Sequence, residues 1–172
     1  MTAASKVELR LVEGPPSAGE VYRRYGAYIA SLGYRLLGRD GEVDDLVQDV
    51  FLAAVEGLDE LREAGALKGW LATLTVRLAG RKLRRRRIAS FFGLGDAQDD
   101  IAAPGATPEE RALLGQVYQA LDRVDVEARV AWILRHIEGE PLDQVAKLCG
   151  CSLATAKRRI SAAQQDIERR LS

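Results

Sequence analysis

Between Pro141 and Leu171 the residue types leave little freedom of fold. Leu142, Val145, Ala146 and Cys149 recur at helical spacing, Gly150 supplies a turn, and Ser152 stands where a following helix needs a cap. A second apolar stripe runs through Leu153, Ala156, Ile160, Ala163, Ile167 and Leu171, while Thr155, Lys157, Arg158 and Ser161 fall off it. Two amphipathic helices joined by a tight turn read as a helix-turn-helix with a basic, exposed second helix. Small Ala146 and Gly150 are expected where the two helices approach each other closely. Lys157-Arg158-Arg159 opens the second helix with no acid until Asp166. Helices of this motif read base edges with residues near their N-terminus, so the charge lies at the useful end. A solvated helical hairpin has the same outline, and the rest of the chain has to decide.

The chain reads in order as follows. Met1 to Pro16 has little pattern and is expected to be a flexible tail. Ser17-Ala18-Gly19-Glu20 has the form of a capping box. Val21, Tyr22, Tyr25, Ile29, Leu32 and Leu36 then predict a helix to about Leu37, stopped by Gly38. Asp40 is placed to cap a second helix with Val43, Leu46, Val47, Val50, Phe51, Ala54 and Leu58 on its apolar face. Its other face carries Glu42, Asp44, Asp45 and Asp49, with no lysine or arginine between Glu42 and Leu61. A face of one sign suits either a basic partner or simple solvation.

Arg62 to Gly69 holds two glycines and little periodicity, so a loop is expected there. Leu67, Trp70, Leu71, Leu74 and Leu78 predict a third helix that runs into Arg77, Arg81, Lys82, Arg84, Arg85, Arg86 and Arg87. Seven cations in eleven residues exceed what a helix C-terminus needs and suit phosphates, each of which releases counterions when neutralised. From Ile88 to Thr107 the pattern breaks, with Phe91-Phe92-Gly93 followed by Asp96, Asp99 and Asp100, which reads as an acidic linker. Thr107-Pro108-Glu109-Glu110 restarts helix, Asp125 is placed to cap another, and Gly139-Glu140-Pro141 leads into the helix-turn-helix.

The predicted fold is therefore all-α: two small helical domains joined by a flexible linker, the C-terminal one a helix-turn-helix. The boundaries are 17–87 and 107–172, with a tail over 1–16 and a linker over 88–106. Net charge decides nothing, since 25 basic residues balance 25 acidic ones. No apolar run approaches the roughly 20 residues of a membrane span, and the N-terminus has no signal-peptide core, so a cytoplasmic protein without membrane insertion is expected. Cys149-Gly150-Cys151 with a lone His136 is a weak metal pattern; small side chains at a turn explain it better, and neither a metal nor a cofactor is expected. No nucleophile-and-base pair, phosphate loop or paired carboxylates stand out, which argues against an enzyme.

The order of parts resembles a family. Asp45-Leu46-Val47-Gln48-Asp49-Val50-Phe51, a loop, Trp70-Leu71, an arginine run, an acidic linker and a helix-turn-helix together resemble bacterial sigma factors of the extracytoplasmic-function (ECF) group, in the sigma-70 family. The closest local matches are Asp44 to Leu52 and Leu142 to Ile160. The resemblance implies a non-enzymatic adaptor that binds core RNA polymerase and directs promoter-specific initiation, including melting of promoter DNA. It places Asp45, Gln48 and Asp49 against the polymerase. It assigns the loop from Arg62, with Lys68 and Trp70, to the minus-ten element, and Arg77, Arg81, Lys82 and Arg84 to the opened strand. It assigns Thr155, Lys157, Arg158 and Ser161 to the major groove of the minus-thirty-five element. An anti-sigma protein is a further partner expected from the family. The rival readings are a sigma-like decoy that sequesters an anti-sigma protein and a helix-turn-helix repressor.

Overall fold

The computed structural model describes residues 16–39, 41–58, 64–94 and 105–171. Among them there are seven α-helices and a single 3-10 turn, with no strand. Helices α1 (Ala18–Leu37), α2 (Val43–Gly57) and α3 (Leu67–Phe91) pack on one another as the N-terminal unit. Helices α4 (Pro108–Leu121), α5 (Val126–His136), α6 (Leu142–Leu148) and α7 (Leu153–Leu171) form the C-terminal one, with α5 and α7 in closest association.

The predicted start and stop signals act as expected at both capping boxes. Ser17 Oγ accepts from the backbone N–H of Glu20, whose carboxylate in turn accepts from the backbone N–H of Ser17 at 2.8 Å. Thr107 and Glu110 repeat the arrangement at α4, with Pro108 in the first turn. Gly38 ends α1 in the left-handed region, φ +71°, and its N–H donates to Tyr34 O at 2.7 Å. That conformation is nearly free for glycine and costly for a residue with a Cβ. At the head of α7, Ser152 Oγ accepts from the Thr155 N–H at 3.2 Å.

Several expectations need correction. The N-cap of α2 is Glu42, without a side-chain bond, and Asp40 lies outside the described residues. Asp125 holds the N-cap position of α5, again without a side-chain bond. The segment read as a loop from Arg62 to Gly69 instead contains the 3-10 turn Ala64–Ala66 and the start of α3 at Leu67, so Lys68 and Gly69 are helical. Arg62 itself lies outside the described residues. At the other end α3 continues four residues past Arg87, through what read as linker, to Phe91. Gly150 is not at a close approach, since a Cβ there would meet nothing within 4 Å; its φ of +60° is what requires glycine.

Gly80 sits in the middle of α3, where glycine costs roughly 1 kcal/mol against alanine. A Cβ at that position meets only the guanidinium of Arg84, at 3.7 Å, an ordinary contact. Gly80→Ala is accordingly expected to raise the urea midpoint by an amount equivalent to about 1 kcal/mol. An unchanged or lowered midpoint would show that α3 needs the flexibility or the space.

The two units are packed together. α5 lies against α1 and α3, and α6 also touches α3. Tyr118 of α4 covers Gly38, where a Cβ would come within 2.3 Å of its ring, and its hydroxyl donates to Arg35 O at 2.7 Å. Arg129 of α5, 2% exposed, donates to Leu36 O and Leu37 O at 3.1 and 3.0 Å and pairs with Asp122. From α3, Arg86 donates to Leu37 O at 3.0 Å. The last carbonyls of α1, orphaned by the end of the helix and carrying its negative dipole end, are thus satisfied by side chains of α3, α4 and α5.

Candidate nucleic-acid interface

The apolar pattern of α2 buries Val43, Leu46, Val47, Val50 and Ala54, which turns Asp44, Asp45, Gln48 and Asp49 outward. Leu52 and Val55 extend the same exposed side, at 67% and 54% exposure. The outer face of α2 is therefore an acidic patch continued by two unburied aliphatic side chains. That pairing suits a protein partner better than solvation alone, which gives no reason to expose both aliphatics.

In α3, Leu71, Ala72, Leu74, Val76, Ala79 and Leu83 are buried, and the cations divide by direction. Arg77, Arg81 and Arg85 are exposed. Lys82 is half-buried and pairs with Asp49 at 3.0 Å, joining one residue of the expected polymerase set to one of the expected DNA set. Arg84 reaches across to Glu127 of α5 at 2.7 Å. Arg86 bonds Glu42 and lies 3.7 Å from Asp122, while Arg87 donates to Val124 O at 3.2 Å. Three of the arginines in the run therefore hold the C-terminal unit or the end of α1 in this structure.

At the N-terminus of α3, Lys68 is exposed, with its ammonium 4.7 Å from the Tyr28 ring centroid. Trp70 is half-buried and lies so close to Gly57, the last residue of α2, that a Cβ there would come within 2.8 Å of the indole. It fixes the angle between α2 and α3. Thr73 returns its hydroxyl to Gly69 O at 3.0 Å.

In the helix-turn-helix, α7 buries Ala156, Ile160, Ala163 and Ile167 and leaves Lys157, Arg158 and Ser161 exposed. Thr155 is half-buried, and its hydroxyl bonds to Ser152 at 2.9 Å. Trp132 of α5 donates its indole N–H to Gln164 at 2.6 Å, and its ring lies 5.1 Å from that of His136, which is itself exposed. Cys149 and Cys151 both pack on the core. Burial, with a smaller push from Cys151, raises the Cys149 thiol to about 11, so it stays protonated near neutral pH and makes a poor nucleophile.

The residues missed in the sequence are those of the seam between the units: Arg129, Tyr118, Asp122 and Glu138. Arg35 of α1 pairs with Glu138, and Asp122 gathers Arg129, Arg86 and, at 3.6 Å, Arg39. Burial pulls the Arg129 guanidinium down from its ordinary pKa while Asp122 pushes it back up. One signal was available for Arg129: it falls on the apolar stripe of Val126, Val130 and Ile133, where a cation has no reason to be unless it has buried acceptors.

A family model described as Sigma-70 region 2 matches residues 21–88, and one described as Sigma-70, region 4 matches residues 114–166. Among curated relatives, the ECF RNA polymerase sigma factor SigE of Mycolicibacterium smegmatis is 28% identical over 156 residues. The aligned part covers 88% of this chain and 60% of that protein. The RNA polymerase sigma factor NccH of Alcaligenes xylosoxydans xylosoxydans is 29% identical over 153 residues, covering 85% of this chain and 82% of its own length. The chain thus spans less than two thirds of the first of these relatives. The sigma factor RpoE from Bartonella quintana, solved in complex with the anti-sigma factor NepR, superposes with a TM-score of 0.63 at 23% identity. That match covers 87% of this chain and 93% of the other, and it shows a shared fold. With both regions matched in order and relatives of the same group aligned over most of its length, the chain belongs to the ECF group of the sigma-70 family.

Proposed function

We propose that this protein is an alternative sigma factor, which binds core RNA polymerase and directs it to promoters without being an enzyme itself. The observation that carries the reading is the division of charge between neighbouring helices. The exposed side of α2 is acidic and partly apolar, and α3, immediately beside it, contains no acidic residue at all. The first surface suits a basic protein partner and the second a polyanion.

Asp45, Gln48 and Asp49 face the polymerase in this reading. Lys68, Arg77 and Arg81, with Lys82 and Arg84 once freed of Asp49 and Glu127, hold the displaced strand, and Arg62 joins them from outside the described residues. Trp70 supports that surface by setting the angle of α3. Lys157, Arg158 and Ser161 read duplex, and Thr155 shapes the start of the reading helix. Opening a duplex without a nucleotide fuel requires that unstacking, a few kcal/mol per extruded base, be offset by contacts to the displaced strand. The complex of the Bartonella quintana sigma factor with NepR supports an anti-sigma protein as a further partner.

The test is binding to core polymerase followed by run-off transcription. Asp45→Asn with Asp49→Asn is expected to weaken polymerase binding about tenfold while the full chain keeps its affinity for duplex promoter DNA. The Lys82–Asp49 pair is open to solvent on the Asp49 side and contributes little to stability, so folding is not at issue. Unchanged polymerase affinity would remove α2 as the docking face.

A further inference from the structure

Past the arginine run, α3 and its C-cap carry an apolar group that nothing among the described residues covers. Ile88, Phe91 and Phe92 are 60%, 85% and 69% exposed. The two rings meet edge to face, with centroids 5.5 Å apart and planes at 89°. That geometry covers at most one of their four faces.

Their register along the helix ties them to the cations. Arg77, Arg84 and Phe91 are seven residues apart, as are Arg81 and Ile88, and Arg85 and Phe92. Seven residues bring a straight helix back to within about 20° of the same direction and advance it about 10.5 Å. Arginines and rings therefore form one continuous strip. On one flank, Arg84 is held by Glu127, and a cleft of about 440 Å³ between Phe91, Phe92 and α5 is walled by Asp125 and Glu127, which would repel an anion. The open flank carries Arg81 and Arg85, with Arg77 exposed at the edge of the cleft that α3 makes with α5 and α7.

We propose that Phe91 and Phe92 are a stacking platform for unpaired bases of single-stranded DNA, extending the arginine track of α3 by a further turn. This rests on the reading of α3 as a strand-holding helix. Charge complementarity selects the occupant. Interface cores that take apolar protein side chains are depleted of charge, whereas here the exposed apolar group follows directly on the cations, one turn beyond Arg84 and Arg85. A ligand needing both cations and aromatic faces is a polyanion with exposed π-faces, and duplex DNA hides those faces in its stack.

The experiment is fluorescence anisotropy of the full chain with a short labelled oligonucleotide, single-stranded or annealed to its complement, across a range of salt. Phe91→Ala with Phe92→Ala is expected to weaken single-strand binding about tenfold, leaving the slope against salt and the duplex affinity unchanged, because stacking releases no counterions. Tryptophan at both positions is expected to retain binding. Arg77→Ala with Arg81→Ala is expected to lower the salt slope by about 0.7 per cation. Unchanged single-strand affinity in the phenylalanine variant, or an equal loss on duplex, overturns the proposal, as does a loss confined to core polymerase binding, which would make the rings a protein contact. If the arginine variant alone weakens binding, only the platform fails. If neither variant does, or if the unaltered chain binds no single strand, the strand-holding role of α3 fails with it.

Discussion

Arg129→Ala is expected to lower the unfolding free energy by about 2–4 kcal/mol, read as a fall of roughly 10 °C in the thermal midpoint for a chain of this size. The guanidinium is almost wholly buried and holds two carbonyls at the end of α1 together with Asp122. Its loss leaves Leu36 O without that donor, leaves Leu37 O with Arg86 alone, and opens a cavity. Asp122 is a third exposed and keeps Arg86 and Arg39 nearby, so the stranded carboxylate adds little and the cost stays below that of a fully buried broken pair. Arg129→Lys is expected to recover only part of the loss, because one ammonium cannot reproduce the forked geometry. A change within about 0.5 kcal/mol, typical of surface sites, would mean that the seam is not held by this residue.

Gly38→Ala is expected to be of similar size, about 2–4 kcal/mol, for two separable reasons. A left-handed backbone costs a residue with a Cβ about 1–2 kcal/mol. The new carbon would also stand 2.3 Å from the Tyr118 ring, so the ring must leave and its hydroxyl bond to Arg35 O with it. Combining Gly38→Ala with Tyr118→Ala in a double-mutant cycle separates these terms. The steric part vanishes in the pair and the backbone part remains, giving a favourable coupling of about 1 kcal/mol or more in urea unfolding. Additive effects would show that Tyr118 does not rest on Gly38 in solution.

Arg129, and the Tyr118 ring that rests on Gly38, belong to the seam, where the sequence is hardest to read. The helices were legible wherever a side chain punctuates them: Ser17 with Glu20, Thr107 with Glu110, Gly38 and Ser152 all mark ends through their own hydrogen bonds or dihedral freedom. α3 begins at Leu67 behind an N-cap, Ala66, that has no capping oxygen, and it places Gly69 in its first turn, so its start carries no signal and reads as loop. The exposed faces of α2 and α7 followed from periodicity, and so did the expected outward direction of Asp45, Asp49, Lys157 and Arg158. The fate of the arginine run did not. Arg85 and Arg86 are neighbours in sequence but about 100° apart on the helix, and one meets solvent while the other meets Glu42 and a helix end. A guanidinium suits phosphate, carboxylate and carbonyl alike, so composition counts the cations without dividing them.

Beside the hydrophobic core that the two units share, a set of polar contacts joins them: guanidinium to carbonyl, guanidinium to carboxylate, and a phenol to a carbonyl. Clefts run beside them, one of about 600 Å³ lined by Arg39, Arg86, Arg129 and Asp122 and another of about 280 Å³ between Arg77 of α3 and Arg159 of α7. Parting such a seam uncovers part of the shared core, so the step carries a heat-capacity change and a denaturant dependence of its own. Its partly exposed ion pairs, Arg84–Glu127 and Arg35–Glu138 among them, are weakened by added salt. The charged part of this seam therefore answers to ionic strength, and the polyelectrolyte that the arginines are suited to bind competes for the same charges that hold it together.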